Sequence, residues 1–89
     1  MQYLFDQFSK TGYIVSYDEN AFYGYCKSIN DFQSFIDQLY NDQNTIVKDG
    51  EGECIQYVVT IDNQSVTIKI NQTKDKLWFG KFFVSVKLQ

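Results

Sequence analysis

Apolar positions change their period along this chain, and each change marks an element. In residues 2–9, Leu4, Phe5 and Phe8 fall at helical spacing, which predicts a short first helix. Thr11-Gly12 follows, and Gly12 reads as its C-terminal cap. Period two then takes over. Tyr13, Val15 and Tyr17 alternate and share one face of a strand, Asp18-Glu19-Asn20 is a turn, and Phe22 to Lys27 is the partner strand of a hairpin.

A second helix begins at Ser28. Ser28-Ile29-Asn30-Asp31 resembles a capping box, with Asp31 in the first turn, where a carboxylate suits the helix dipole. Ile29, Phe32, Phe35, Ile36, Leu39 and Tyr40 follow helical periodicity, and Asp31, Gln33, Ser34, Asp37 and Gln38 fill the opposite face. The four apolar residues Phe32, Phe35, Ile36 and Leu39 are expected to bury against a sheet.

The second half is nearly all strand. Thr45–Lys48 is short, and Asp49-Gly50-Glu51-Gly52 turns the chain. Cys54–Ile61 is β-rich, Asp62-Asn63-Gln64 turns it again, and Ser65–Asn71 alternates cleanly, with Val66, Ile68 and Ile70 on one face. Gln72–Lys76 reads as a polar loop and Leu77–Leu88 as a long final strand. Short polar turns between successive strands give an antiparallel meander. The expected fold is therefore α+β: one domain over residues 1–89, with a meander sheet of about five to six strands and two helices packed on one face, two layers in all.

Composition then narrows the chemistry. Aromatics reach 18% while Ala and Met occur once each, so rings must supply much of a small core. The chain has no His, no Arg and no Pro. Without His the usual neutral-pH proton shuttle and commonest metal ligand are missing; without Arg there is no bidentate grip on phosphate. Cys26 and Cys54 stand far apart, too few and too separated for a zinc site or a disulfide framework. No nucleotide-binding glycine pattern is present. Asp49, Glu51 and Glu53 lack calcium-loop spacing, and their glycines suit a hairpin turn. These absences point away from catalysis and from any cofactor. The opening residues MQYLFDQFSK lack a basic, then apolar, leader, and no run is long enough to span a membrane. A reducing, cytoplasmic setting is expected.

Charge is uneven. Residues 1–53 carry a net −6 and residues 54–89 a net +3, for −3 overall. Asp18, Glu19, Asp37 and Asp42 are expected to be exposed, to contribute little to folding, and to dock on a protein partner such as a nucleic-acid enzyme with a basic surface. Ordinary solvation of helix and turn faces accounts for the same charges. Tyrosines on the first hairpin suit stacking on bases, but Asp18 and Glu19 sit on that hairpin, so no direct nucleic-acid binding is expected. A protein-contact role suits them better.

The final strand carries Trp78, Phe82, Val84, Val86 and Leu88 on one face and Leu77, Phe79 and Phe83, with Lys81, Ser85 and Lys87, on the other. That second face is either covered by a helix or open for a partner, including a second copy in a homodimer through this strand. Tyr23, Phe79 and Phe83 join the four acids as candidate contact residues. Small size, acidity and missing catalytic motifs suggest an inhibitor of the anti-CRISPR or anti-restriction type, carried by a phage or mobile element. An immunity protein against a toxin, or a structural, oligomer-forming phage protein, fits the same composition.

Overall fold

A computed structural model describes residues 2–49, 52–61, 63–77 and 80–89. Two helices and six strands alternate as α1 (Gln2–Ser9), β1 (Gly12–Tyr17), β2 (Ala21–Cys26), α2 (Asn30–Leu39), β3 (Tyr40–Asp49), β4 (Gly52–Ile61), β5 (Gln64–Leu77) and β6 (Gly80–Leu88). They form one antiparallel sheet in the order β1-β2-β6-β5-β4-β3. The meander is the run β3 to β6. The β1–β2 hairpin is added to it along β6, and α2 carries the chain from β2 across to β3 at the far edge. The architecture is the expected α+β pair of layers.

The register sorts every strand into two faces. On the helix side, Phe22 aligns with Val86, Val86 with Ile68, and Ile68 with Tyr57. The next row is Gly24, Val84, Ile70 and Ile55. Leu4 and Phe8 of α1 and Phe32 and Ile36 of α2 close over these rows and are buried with them, apart from Ile55, which is half-buried at the border. Phe8 is the joint between layers: its ring lies 5.8 Å from Phe22 and meets Phe32 edge-on at 5.2 Å. Phe5 adds edge contacts to Phe22 at 5.5 Å and Tyr17 at 5.4 Å. Such ring pairs add stability beyond the area they bury. Among the described residues no charged side chain is buried and no buried side-chain nitrogen or oxygen lacks a partner.

Several local expectations are revised. Gly12 opens β1 and is outside the left-handed region; it is needed as a floor for the Phe8 ring, since a Cβ there would stand 2.5 Å from Phe8 Cζ. Tyr13, Val15 and Tyr17 do not share a face. A β-bulge between Ile14 and Ser16 inserts one residue, so Tyr13 aligns with Tyr25 on the open side and Tyr17 with Phe22 on the helix side. Helix α2 starts at Asn30, and the Gln33 amide donates to the Ile29 carbonyl at 2.8 Å. Ile29, which is buried, thus takes the capping position and Ser28 precedes it. Phe35 and Leu39 are half-buried, since they border the core rather than fill it. Tyr40 begins β3.

Strand β3 is longer than Thr45–Lys48 because an edge strand pairs through its backbone on one side only and tolerates polar side chains. Gln72–Lys76 is likewise strand, not loop: β5 runs on past its pairing with β4 to Leu77, which pairs with Gly80. Leu77 therefore ends β5 rather than starting β6. Trp78 and Phe79, Gly50 and Glu51 of the second-half acidic turn, and Asp62 lie outside the described residues. Asn63, with φ of 65°, takes the left-handed turn before β5, a conformation asparagine adopts more readily than most residues.

Candidate binding surface

Both helices lie on one side of the sheet, and no described element covers the other. Residues 21, 23 and 25 of β2, 65, 67, 69 and 71 of β5, and 83, 85 and 87 of β6 face this open side. Their register builds two rows. Tyr13, Tyr25, Phe83 and Asn71 align in the first; Ser16, Tyr23, Ser85, Lys69 and Gln56 align in the second. Beyond them, Ala21 pairs with Lys87, and Lys87 with Thr67.

Phe83 is the centre of the aromatic part. Tyr25, directly opposite it, meets its ring edge-on at 5.0 Å, and Tyr23, on the diagonal, stacks at 6.3 Å with planes 14° apart. The Lys87 Nζ lies 5.8 Å from the centre of the Tyr23 ring, within cation–π range. Tyr13 extends the cluster to the sheet edge and is half exposed, at 51%. Beside the rings, Thr67, Lys69, Ser85, Lys87, Leu88 and Gln89 line a shallow depression of about 290 Å³. The Gln89 side-chain amide donates to the Thr67 hydroxyl, and the Gln89 backbone amide to the Ser65 carbonyl at 2.9 Å, which fixes one wall of that depression.

The candidate residues read from the sequence separate into groups. Tyr23 and Phe83 come together on the open face. Phe79 lies outside the described residues. Asp18 and Glu19 sit at the tip of the β1–β2 hairpin, beside a depression of about 310 Å³ shared with Gln2, Phe5, Tyr17 and Phe22. The Asp18 carboxylate accepts from the Asn20 amide at 2.7 Å and the Ala21 amide at 2.9 Å, so it shapes the turn as well as charging it. Asp37 is exposed on α2. Asp42 belongs to β3, at the opposite sheet edge from the hairpin; with strands about 4.8 Å apart, β2 and β3 are separated by roughly 20 Å. Asp18 and Glu19, at the tip of the hairpin, are thus set apart from the strand that carries Asp42.

No protein-family model, curated protein or solved structure matches the chain.

Tyr13, Tyr25, Lys69 and Lys87 complete the surface, and the sequence reading did not join them. Their signal was the odd-position alternation in β2, β5 and β6. What was missing was the order β2-β6-β5, which alone brings residues 23–25, 67–69 and 83–87 side by side. That order also bears on assembly through the final strand: β6 is paired on both sides, so only its open face is left to a second molecule. Among the described residues no helix is long and apolar enough to cross a membrane.

Proposed function

We propose that this protein is a non-catalytic inhibitor that works by occupying the surface of a partner protein, and that the open face of the sheet is its contact surface. The partner class is a nucleic-acid-targeting enzyme of a bacterial defence system, in the manner of anti-CRISPR and anti-restriction proteins.

One observation carries this reading: the cluster of Tyr13, Tyr23, Tyr25 and Phe83 on a sheet face that no described element covers. Tyr13 is exposed and Tyr23, Tyr25 and Phe83 are half-buried against one another, and contiguous accessible rings rimmed by polar side chains mark contact surfaces. Tyrosine serves them well, because it offers large area with few rotatable bonds and a hydroxyl at its tip. The small size and net charge of −3 support the target class by analogy of type alone.

The test is cleavage of DNA by a panel of restriction and RNA-guided nucleases in the presence of the purified protein. At least one enzyme should be slowed, and the Tyr23→Ser/Phe83→Ser variant, checked for parent-like folding, should lose about tenfold or more in potency, as removal of central aromatic contacts does. A panel left uninhibited, or a folded variant as potent as the parent, overturns the proposal.

A further inference from the structure

We infer that the open sheet face takes an acidic segment of its protein partner, with a carboxylate held between Lys69 and Lys87 and an apolar side chain laid against Tyr23, Tyr25 and Phe83. This rests on the open face being the contact surface and adds the chemistry of what it meets.

The charge of that face differs from the charge of the chain. Where side chains are described, over residues 13–25 of β1 and β2, 54–60 of β4, 65–71 of β5 and 83–87 of β6, the outward positions include tyrosines, phenylalanine, hydroxyls, amides and two lysines, with no carboxylate among them. The acids whose side chains are described lie elsewhere: Asp18 and Glu19 at a hairpin tip, Asp6, Asp31 and Asp37 on the helices. Around Lys69 and Lys87 a domain of net −3 thus presents a patch of described side chains whose only charges are positive.

Register gives the lysines a shared geometry. Lys69 lies opposite Ser85, and Lys87 opposite Thr67. The two ammonium-bearing chains occupy one diagonal of a four-residue block and the two hydroxyls the other. A carboxylate in the depression between them has charged donors on both sides and hydroxyl donors across, which is the arrangement that satisfies several acceptor lone pairs at once. The depression, about 290 Å³, has room for a side chain, water occupying about 30 Å³ per molecule. Lys87 also borders the Tyr23 ring, so the charged and aromatic halves are continuous and one segment can use both.

A polypeptide fits these features better than a nucleic-acid strand. Two lysines neutralise two phosphates, whereas the rest of the chain carries net negative charge that repels a polyanion. A single carboxylate responds to its immediate surroundings, because charges beyond the screening length of about 8 Å are largely damped. Acidic segments are also expected in the proposed targets, since enzymes that cut nucleic acid hold metal ions with clustered carboxylates.

The experiment uses the full chain and three labelled probes in fluorescence anisotropy: a short peptide of Asp and Glu interleaved with Trp and Leu, the same peptide with Lys for each acid, and a mixed-sequence single-stranded DNA. The acidic peptide should bind, and its affinity should fall with salt. Lys69→Gln/Lys87→Gln should weaken it about tenfold while melting as the parent does, because both side chains are exposed. Backbone amide shifts on titration should cluster at residues 23–25, 67–69 and 83–87. Equal binding of the lysine peptide, tighter binding of the DNA, or indifference to the lysine substitutions overturns the inference. Failure here is separable from failure of the inhibitor reading: nuclease inhibition that persists and depends on Tyr23 and Phe83, without acidic-peptide binding, removes only the partner chemistry.

Discussion

Gly24 lies beneath the ring of Phe8, so close that a Cβ on Gly24 would stand 2.6 Å from Phe8 Cε1 and 2.5 Å from the Tyr13 carbonyl oxygen. The glycine lets α1 settle onto β2, and Phe8 can then reach both Phe22 and Phe32. Gly24→Ala should cost about 1–3 kcal/mol, as overpacking does. For a domain of this size that lowers the melting temperature by roughly 4–8 °C per kcal/mol. The three atoms nearest a Cβ at Gly12 all belong to the Phe8 ring, so a second change, Phe8→Leu, should relieve Gly12→Ala more than it relieves Gly24→Ala, whose closest obstacle is the Tyr13 backbone. Thermal melts of the two singles and two doubles decide this; equal relief in both pairs would remove the distinction.

Helix α2 separates core from border. Phe32 and Ile36 are buried, whereas Phe35 and Leu39 are half-buried and line a groove with Tyr3, Thr60 and Ile61. Phe32→Ala should cost about 3–5 kcal/mol, a large part of a small domain's stability. Phe35→Ala should cost about 1–2 kcal/mol, since less area returns to water. Urea titrations of both variants measure this, and a Phe35→Ala loss matching that of Phe32→Ala would move Phe35 into the core.

Periodicity exposed α1, β2, α2 and the centre of β5 because each buries one face, and burial selects residue type. It failed where burial does not select. Strand β3 is an edge, and residues 72–76 of β5 are polar, yet β3 pairs with β4 and the extension of β5 is held to β6 at Gln72 and Leu77. The β1 bulge was hidden because Tyr13, Val15 and Tyr17 alternate perfectly; only the pairing of Ile14 with Gly24 and Ser16 with Tyr23 reveals the inserted residue. The binding surface was half legible. Tyr23 and Phe83 carry an aromatic signal in their own strands, but the lysines beside them become neighbours only through strand order, which no local pattern encodes.

Cys26 and Cys54 differ in setting. Cys26 is buried against the helices, and loss of solvation pushes its thiol up from 9.0 to about 11; Cys54 is half-buried and free. A neutral disulfide reagent at mildly alkaline pH should therefore modify Cys54 first and Cys26 only as the fold opens, since the thiolate is the reactive form. The linkage has a definite sign. The folded state holds the Cys26 proton more tightly than the unfolded chain, so this contribution is complete below pH 9 and is lost as pH rises from about 9 to about 11. Cys26→Ala should flatten that part of the stability profile relative to the parent. Mass spectrometry after brief labelling, with equal labelling at both sites, would refute the assignment.

Asp18 has two roles that one substitution would confuse. Its Oδ1 accepts from the Asn20 and Ala21 amides, and its own amide donates to the Ala21 carbonyl at 2.8 Å, so the side chain closes the turn that joins β1 to β2. Its charge, with Glu19, marks the hairpin tip. Asp18→Ala should remove both and cost about 1 kcal/mol or somewhat more, because two turn amides lose their acceptor. Asp18→Asn keeps an oxygen in the same place and should cost less, with only the charge-assisted part lost. Glu19→Gln and Asp37→Asn should melt within about 0.5 kcal/mol of the parent, as exposed substitutions generally do. Docking by the acidic tip is therefore tested with Asp18→Asn and Glu19→Gln together: slower association with an inhibited nuclease and a weaker salt dependence, at unchanged melting, support it. An association rate equal to the parent's leaves Asp18 a turn residue alone, and an Asp18→Ala variant that melts with the parent removes even that role.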